Sequence, residues 1–214
     1  KHTLEDANQV HNFHKLNSRG VSLAIEARIA EKKPDVLVAA GISYWSFIDR
    51  HPALHLLEKN ITEQVFIMKE AGADLVMLEM MVDIDRMLVA IESVKKAKLP
   101  VWVGLSCKPN ISGEMCLLNG EKLSNALTHL KFKDVDLVNI MHTDVRFVEA
   151  CLDIVQEEWN GFCGVYAHSG NMKGSEWTFN DVIAPEVYTN YASSWIERKI
   201  SLVGGCCGIT TDHM

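Results

Sequence analysis

The sequence predicts an α/β protein with a parallel sheet, in the form of a (β/α)8 or TIM barrel. Six short apolar segments alternate with segments whose apolar residues recur every three or four positions, as strands alternate with helices. The apolar segments have no polar face, which is typical of parallel strands covered on both sides. Polar residues stand at their carboxyl ends, at Glu79, Ser106, Asn139 and Cys206. Barrel enzymes keep their active sites at this rim, and no Gly-x-Gly-x-x-Gly motif favours a nucleotide-binding sheet.

The predicted elements follow in order along the chain. Leu4–Glu31 is predicted to be helical, with Asn17 or Ser18 as a cap between two segments. Further helices are expected at 54–71, 83–97, 122–130, 144–159 and 185–198. Strands are expected at 36–41, 74–79, 101–106, 135–140, 162–166 and from 202 onward. Residues 108–120 and 167–180 are expected to be loops.

Composition and charge narrow the class of protein. The chain has 214 residues, 48% of them hydrophobic, so we expect one sizeable core and a single domain over residues 1–214. A net charge of −7 without a Lys/Arg stripe argues against a nucleic-acid partner. No apolar run approaches the roughly 20 residues of a membrane span, so no membrane partner is expected. Six cysteines without a secretory signal favour a reducing, cytoplasmic location. A homo-oligomer is compatible with the sequence.

Two adjacent cysteines, Cys206 and Cys207, follow the last strand between glycines. As thiolates they would bind Zn²⁺ with a third protein ligand and leave a fourth position open. As a vicinal disulfide they would form a strained redox pair, and as plain buried residues they would be small hydrophobes. The flanking glycines permit close approach of the backbone and favour a functional site. The segment Thr210-Thr211-Asp212 is predicted to cap a helix.

The stretch around these cysteines resembles a family signature. Gly204-Gly-Cys-Cys-Gly-Ile-Thr-Thr-Asp-His213 is similar to the Gly-Gly-Cys-Cys-Gly-Thr-Thr-Pro-x-His motif of the homocysteine S-methyltransferases. That resemblance implies a Zn²⁺-dependent enzyme that moves a methyl group from an onium donor to the thiol of homocysteine, giving methionine. A small thiol and a methyl donor would be its partners. It also implies that the chain lacks barrel strands one and two and most of the last helix.

The resemblance further implies roles for individual residues. Leu78-Glu79 matches the strand end whose glutamate binds the homocysteine amino group in the family. A carboxylate there would form a charge-assisted hydrogen bond with the ammonium. Ser106, Asn139 and Tyr166, on other strands, are expected to complete the substrate site.

The third zinc ligand is where the chain departs from the family pattern. The family has Val-Asn-Cys at its sixth strand, with the cysteine as a ligand, whereas this chain has Val138-Asn-Ile140. Isoleucine cannot coordinate a metal. We expect His142, two residues further on, to join Cys206 and Cys207 as the third ligand, with Cys107 as the weaker candidate.

Two loops also differ from the family pattern. The segment Tyr166–Asn171 resembles Tyr-Pro-Asn-Ser/Ala-Gly-Glu, with His168 in place of the asparagine and Asn171 in place of the glutamate. Tyr44 and Trp45 occupy a loop where the family has Gly-Ser-x-Gly-Pro. These aromatic rings have two interpretations: they face a cationic methyl donor, or they cover the barrel rim.

Three functional hypotheses follow. The first is a zinc-dependent homocysteine S-methyltransferase, which the intact double cysteine favours. The second is a catalytically impaired paralogue that binds an amino-acid-like ligand without methyl transfer, which the missing third cysteine would explain. The third is a barrel enzyme of other chemistry that keeps Cys206 and Cys207 as a redox pair.

Overall fold

The computed structural model describes residues 1–45, 52–173, 176–179 and 182–214. Within these ranges the strands are β1 (Ala39–Ile42), β2 (Leu75–Met81), β3 (Val101–Leu105), β4 (Cys107–Pro109), β5 (Met115–Leu117), β6 (Leu137–Asp144), β7 (Phe162–His168), β8 (Asn171–Lys173), β9 (Glu176–Thr178) and β10 (Leu202–Gly205). One sheet has the strand order β1, β2, β3, β6, β7, β10. Its pairs β1–β2, β6–β7 and β7–β10 are parallel, which confirms the predicted α/β class.

Helices separate these strands along the chain. They are α1 (His2–Asp6), α2 (Phe13–Ala30), α3 (Leu54–Glu70), α4 (Ile84–Lys95), α5 (Leu123–Leu130), α6 (Val148–Glu158) and α7 (Pro185–Glu197), with 3₁₀ turns at 10–12, 145–147 and 211–213. Helix α4 illustrates why they form. Its fully buried residues, Met87, Ala90, Ile91 and Val94, recur at three and four positions and so share one face.

The chain divides into two compact units. The first comprises residues 1–78 and 85–102, and the second comprises 79–84 and 103–214. Each has its own fully buried apolar residues, such as Val65 and Ile91 in the first and Leu127 and Val165 in the second. All seven predicted site residues lie in the second unit. The expectation of a single domain over the chain stays a prediction. No helix within the described ranges is long and apolar enough to cross a membrane.

The first helical region breaks at a different place from the one predicted. Helix α2 runs without interruption through Asn17 and Ser18, and the break lies instead before it, where Asn8 has φ of +54°. Asn17 does not cap a helix, because its amide donates to the Phe13 carbonyl at 2.7 Å. A polar side chain that bonds to the preceding turn is compatible with an unbroken helix.

Two hairpins lie in segments that were predicted to be loops. Strands β4 and β5 pair within the first segment, and β8 and β9 pair within the second. Each strand has three residues, too few to show an alternating pattern. The turn of the first hairpin is held by Asn110, whose side-chain oxygen accepts from the backbone N–H groups of Ser112 and Glu114.

Strand β6 is longer than predicted and ends irregularly. It continues to Asp144 instead of stopping at Ile140, and its register against β7 shifts between Met141 and Asp144. His142, inside this irregularity, has φ of +43°. The buried Thr143 supports the extension, because its hydroxyl donates to the Met141 carbonyl at 3.0 Å.

A tight turn follows β10. The N–H of Ile209 donates to the Cys206 carbonyl at 3.1 Å, and Gly208 has φ of +79°, as the third residue of a type II turn requires. Thr210 then caps the 3₁₀ turn Thr211–His213, and a capping box joins Thr210 to His213. The predicted cap at Thr210 is therefore confirmed, although the helix that it starts is a single turn.

We expect Gly208→Ala to destabilise the protein more than Gly113→Ala. Both glycines have similar φ values, +79° and +85°, so alanine at either position should cost about 1–2 kcal/mol. A Cβ at Gly113 meets open space, whereas a Cβ at Gly208 would overlap the Ser169 carbonyl oxygen. Urea denaturation of both variants and the parent gives the free energies of unfolding. Equal losses in the two variants would contradict this account of the turn.

Candidate metal centre

Three potential metal ligands meet near the ends of β6 and β10. The Nδ1 atom of His142 lies 3.4 Å from the Sγ of Cys206, which lies 3.9 Å from the Sγ of Cys207. All three donor atoms lie within 4.8 Å of one another. In the part of the chain that the structure describes, no other group of three His, Cys, Asp or Glu residues has this spacing. The structure thus brings together the three residues that the sequence analysis expected to hold zinc.

The spacing suits a tetrahedral zinc ion. In tetrahedral geometry, bonds of about 2.3 Å to sulfur and about 2.05 Å to nitrogen imply about 3.8 Å between two sulfurs and about 3.6 Å between sulfur and nitrogen. The observed 3.9 Å and 3.4 Å agree with both values. Three protein ligands are the usual set of a catalytic zinc site, in which a fourth position takes water or substrate.

Backbone hydrogen bonds attach the two cysteines to the end of β7. The N–H of Cys206 donates to the Ala167 carbonyl, and the N–H of Ser169 donates to the Cys207 carbonyl, both at 2.9 Å. The turn at Gly208 brings the backbone so close to Ser169 that a Cβ would not fit. The flanking glycine therefore has the role that the sequence suggested, which is close approach of two backbone segments.

Burial controls the charge of the candidate ligands. It raises the pKa of the Cys206 thiol to about 12, with a further contribution from Cys207. It lowers the pKa of His142 to about 4, with a further contribution from His168. His142 is therefore neutral at pH 7, which is the form in which imidazole binds a metal. The Cys206 thiol would lose its proton when a cation binds.

Glu79 and Tyr166 are neighbours of the cysteine pair. Burial first, then the charges of Glu79 and Cys206, raise the pKa of Tyr166 above its usual range. Burial also raises the pKa of Glu79. The Tyr166 hydroxyl is buried and has no hydrogen-bond partner among the described residues. Because a buried hydroxyl without a partner costs about 1–3 kcal/mol, its position favours a ligand that accepts or donates a hydrogen bond there.

Ser106 and Asn139 lie deeper in the second unit, and both are fully buried. The Ser106 hydroxyl donates to the Met80 sulfur at 3.3 Å. Asn139 lies in the interior of β6, not at its tip, and its side-chain oxygen occupies the space where a Cβ at Gly164 would lie. Both side chains therefore pack against protein groups.

Ile140 and Cys107 do not take part in the cluster. Ile140 is 1% exposed and pairs with Val165, which in turn pairs with Val203, three residues before Cys206. Cys107 is buried, and a hydrogen bond with Cys151 followed by burial raises its pKa well above the usual range. The β6 residue that lies beside the cysteine pair is therefore His142.

The sequence analysis gave no role to Met80 or Met141. The N–H of Met80 donates to the Met141 sulfur at 2.9 Å, and Met80 has φ of +56° directly after Glu79. A Cβ at Gly104 would lie within 3 Å of both the Met141 side chain and the Tyr166 hydroxyl. No sequence signal could have identified these methionines, because methionine is an ordinary core residue.

The two aromatic residues that follow β1 differ in burial. Tyr44 is 1% exposed and therefore belongs to the core, while Trp45 is half-buried. The burial of Tyr44 favours a ring that covers the barrel rim over one that faces a cationic methyl donor. The side chain of Asn171 lies outside the described part of the structure.

Comparison with known proteins agrees with the family resemblance of the cysteine motif. The sequence pattern of the homocysteine S-methyltransferases matches residues 1–214. The chain belongs to the homocysteine S-methyltransferase family. Homocysteine S-methyltransferase 2 of Arabidopsis thaliana is 23% identical over 98% of this chain and 66% of its own length. Selenocysteine Se-methyltransferase of Brassica oleracea var. italica is 24% identical over 86% of this chain and 57% of its own length. The chain thus spans less than two thirds of the length of these two relatives.

Solved structures of the family share the fold. The apo form of the homocysteine methyltransferase MmuM from Escherichia coli matches with a TM-score of 0.75 at 20% identity, over 94% of this chain and 71% of that one. The metallated form of MmuM matches with a TM-score of 0.76 at 20% identity, over 94% of this chain and 68% of that one. This likeness confirms the predicted fold class.

We expect His142→Ala to weaken zinc binding by more than about 100-fold, since loss of an outer partner of a ligand already costs 10–100-fold. The measurement is competition with a chelator of known affinity. His129→Ala, which removes an exposed histidine of α5, and Cys163→Ser, which removes a half-buried thiol of β7, are the controls. If His142→Ala holds zinc as tightly as these controls, His142 is not a ligand.

Proposed function

We propose that this family member is a zinc-dependent S-methyltransferase that moves a methyl group from an onium donor to the thiol of homocysteine or a closely related amino acid, forming methionine in the case of homocysteine. The observation that carries the proposal is the spacing of the His142, Cys206 and Cys207 donor atoms, which suits tetrahedral zinc. Glu79 and Tyr166 beside that cluster support it, because a homocysteine-like substrate carries both a thiol and an ammonium group.

His142, Cys206 and Cys207 would hold the metal and leave one position for the substrate sulfur. Zinc bound there would supply a substrate thiolate at neutral pH, although a free thiol has a pKa near 8.5. The set of one imidazole and two thiolates carries one negative charge fewer than three thiolates. We therefore expect a substrate sulfur of lower pKa and lower nucleophilicity, and slower methyl transfer, than a three-cysteine site would give.

Glu79 would hold the substrate ammonium through a charge-assisted hydrogen bond. Its charge acts on both Cys206 and Tyr166, so an ammonium bound to Glu79 would lie near the sulfur site. The Tyr166 phenol, whose pKa is raised by burial, stays protonated and offers an uncharged donor near Glu79 and Cys206. Together these residues would hold both ends of the substrate. Holding a reactant in the correct orientation lowers a large part of the activation barrier.

Buried residues of the second unit would limit the access of water to the site. Ser106 and Asn139 are 0% exposed, and Met141 is 3% exposed. Methyl transfer from an onium donor to a thiolate removes charge from both reactants, so a dry environment favours the transition state. We propose that Ser106 and Asn139 contribute by packing around the substrate site.

The relatives indicate the substrate class. They are named as methyltransferases of homocysteine and of selenocysteine, both of which are amino acids with a nucleophilic thiol or selenol. A substrate of this kind has an ammonium for Glu79 and a soft atom for the metal. The proposal therefore covers amino acids with a thiol or selenol, with homocysteine as the first candidate.

Zinc analysis and a methyl-transfer assay test the proposal together. Near-stoichiometric zinc and formation of methionine from homocysteine and an onium donor, such as S-methylmethionine, are the expected results. Bound homocysteine without any product would instead indicate the catalytically impaired paralogue. Absence of zinc, with Cys206 and Cys207 titrating as a disulfide until reductant is added, would indicate the redox pair.

We expect Glu79→Gln to weaken homocysteine binding by about 1.5–3 kcal/mol, the usual worth of a hydrogen bond to a charged group. Titration calorimetry of the zinc-loaded protein measures the affinity. The matched control is 4-mercaptobutyrate, which keeps the thiol and carboxylate of homocysteine but lacks its ammonium, and its affinity should change little. An equal loss for both ligands would show that Glu79 does not hold the amine.

Acidification should weaken homocysteine binding, as the change Glu79→Gln does. Burial raises the pKa of Glu79, so its carboxylate begins to accept a proton at a higher pH than an exposed glutamate would. As the pH falls through that raised pKa, the charge that attracts the ammonium is lost. The difference in affinity between homocysteine and 4-mercaptobutyrate should therefore shrink toward acid pH, and a constant difference would contradict the assignment.

A further inference from the structure

We propose that His168 is a positioning residue, which holds the backbone of His142 in the conformation that directs Nδ1 toward Cys206. The inference rests on the proposed function, because it concerns the third ligand of the proposed metal site. It assigns a role to a residue outside the group of three donor residues.

The conformation of His142 needs support from its surroundings. Its φ of +43° is positive, which is uncommon for residues other than glycine, although histidine adopts it more often than most. The register of β6 against β7 shifts at the same place, so regular strand pairing does not determine the backbone there. A backbone in this region persists only where neighbouring groups hold it.

His168 supplies such a contact from the end of β7. Its ring lies against the His142 ring, with 4.6 Å between centroids and an angle of 48° between the planes. Its imidazole also donates a hydrogen bond to the backbone carbonyl of His142. We assign the donor to Nε2, the ring nitrogen further from the backbone. One side chain thus contacts both the ring and the carbonyl of the proposed ligand.

The preceding peptide, which joins Met141 to His142, is held separately by Thr143. The hydroxyl of this buried residue donates to the Met141 carbonyl and accepts from the Cys107 N–H, both at 3.0 Å. Thr143 therefore fixes the chain on either side of His142. The hydrogen bond from His168 fixes the carbonyl between them, and with it the direction in which the His142 side chain leaves the backbone.

An alternative partner for His168 is the carboxylate of Asp144. Asp144 is the residue of β6 that lies opposite His168 in the strand register. Asp144 accepts three hydrogen bonds from Arg146, from its backbone N–H at 2.9 Å, its Nε at 2.8 Å and an Nη at 2.6 Å. Arg146 therefore provides hydrogen-bond donors for this carboxylate. The geometry favours the His142 carbonyl as the acceptor of the hydrogen bond from His168.

The test compares two substitutions at position 168. His168→Gln keeps an N–H donor at the place of Nε2, and His168→Phe keeps a ring but removes the donor. We expect His168→Phe to weaken Co²⁺ affinity 10–100-fold, which is the usual effect of removing the outer partner of a ligand, and His168→Gln to stay within about threefold of the parent. Co²⁺ serves as the probe because its absorption spectrum reports the ligand set, and chelator competition gives the affinity.

A second background separates positioning from general stability. In His142→Ala, the change His168→Phe should have no further effect on Co²⁺ affinity, since the ligand that it positions is gone. A structural role alone would lower the affinity or the melting temperature equally in both backgrounds. If His168→Phe does not fold, the comparison of His168→Gln with the shorter His168→Asn applies the same criterion, and only glutamine should retain the parent's affinity and spectrum.

The outcomes distinguish this inference from the proposed function. A parent that binds Co²⁺ with thiolate and imidazole absorption, together with His168 variants that bind equally well, would overturn only the role of His168. A parent that takes up no Co²⁺ would overturn both the metal site and the positioning residue.

Discussion

The candidate site depends on the irregular end of one strand. At the end of β6 the register against β7 shifts, and His142 takes a left-handed backbone conformation inside the shift. In that conformation its Nδ1 lies 3.4 Å from the sulfur of Cys206. The disfavoured backbone costs stability, and side-chain hydrogen bonds from Thr143 and His168 hold it in place. Local strain that is held by surrounding contacts is common at functional sites, where it fixes the direction of a reactive group.

Burial gives the same region its chemical character. Removing charged forms from water raises the pKa of Cys206 and Glu79 and lowers that of His142. Without a ligand, the cluster therefore favours a protonated Cys206 thiol and a neutral imidazole. A divalent cation reverses this preference for Cys206, because it stabilises the thiolate that burial alone disfavours. An ammonium does the same for the Glu79 carboxylate. The site therefore favours ligands whose positive charge offsets the cost of burying a thiolate or a carboxylate.

Membership of the homocysteine S-methyltransferase family and the shared fold leave the chemistry of this particular site open to change. The resemblance seen in the sequence implies a third cysteine in β6, where this chain has Ile140, buried and paired with Val165. Two residues further on, His142 supplies a nitrogen at ligand spacing. A neutral ligand in place of a thiolate would change the charge around a bound metal without changing the fold, and reactivity would follow that charge.

The sequence by itself determined the α/β class, the order of strands and helices, the paired thiols at Cys206 and the cap at Thr210, because these depend on local patterns of apolar residues, glycines and capping side chains. It also singled out His142 as the expected third ligand, because it lies two residues after Ile140. The three-residue hairpins, the extension of β6 and the contact of His168 with His142 were decided by tertiary structure alone. Each joins segments that are distant in sequence, and their positions depend on packing and backbone pairing, which a single sequence does not display.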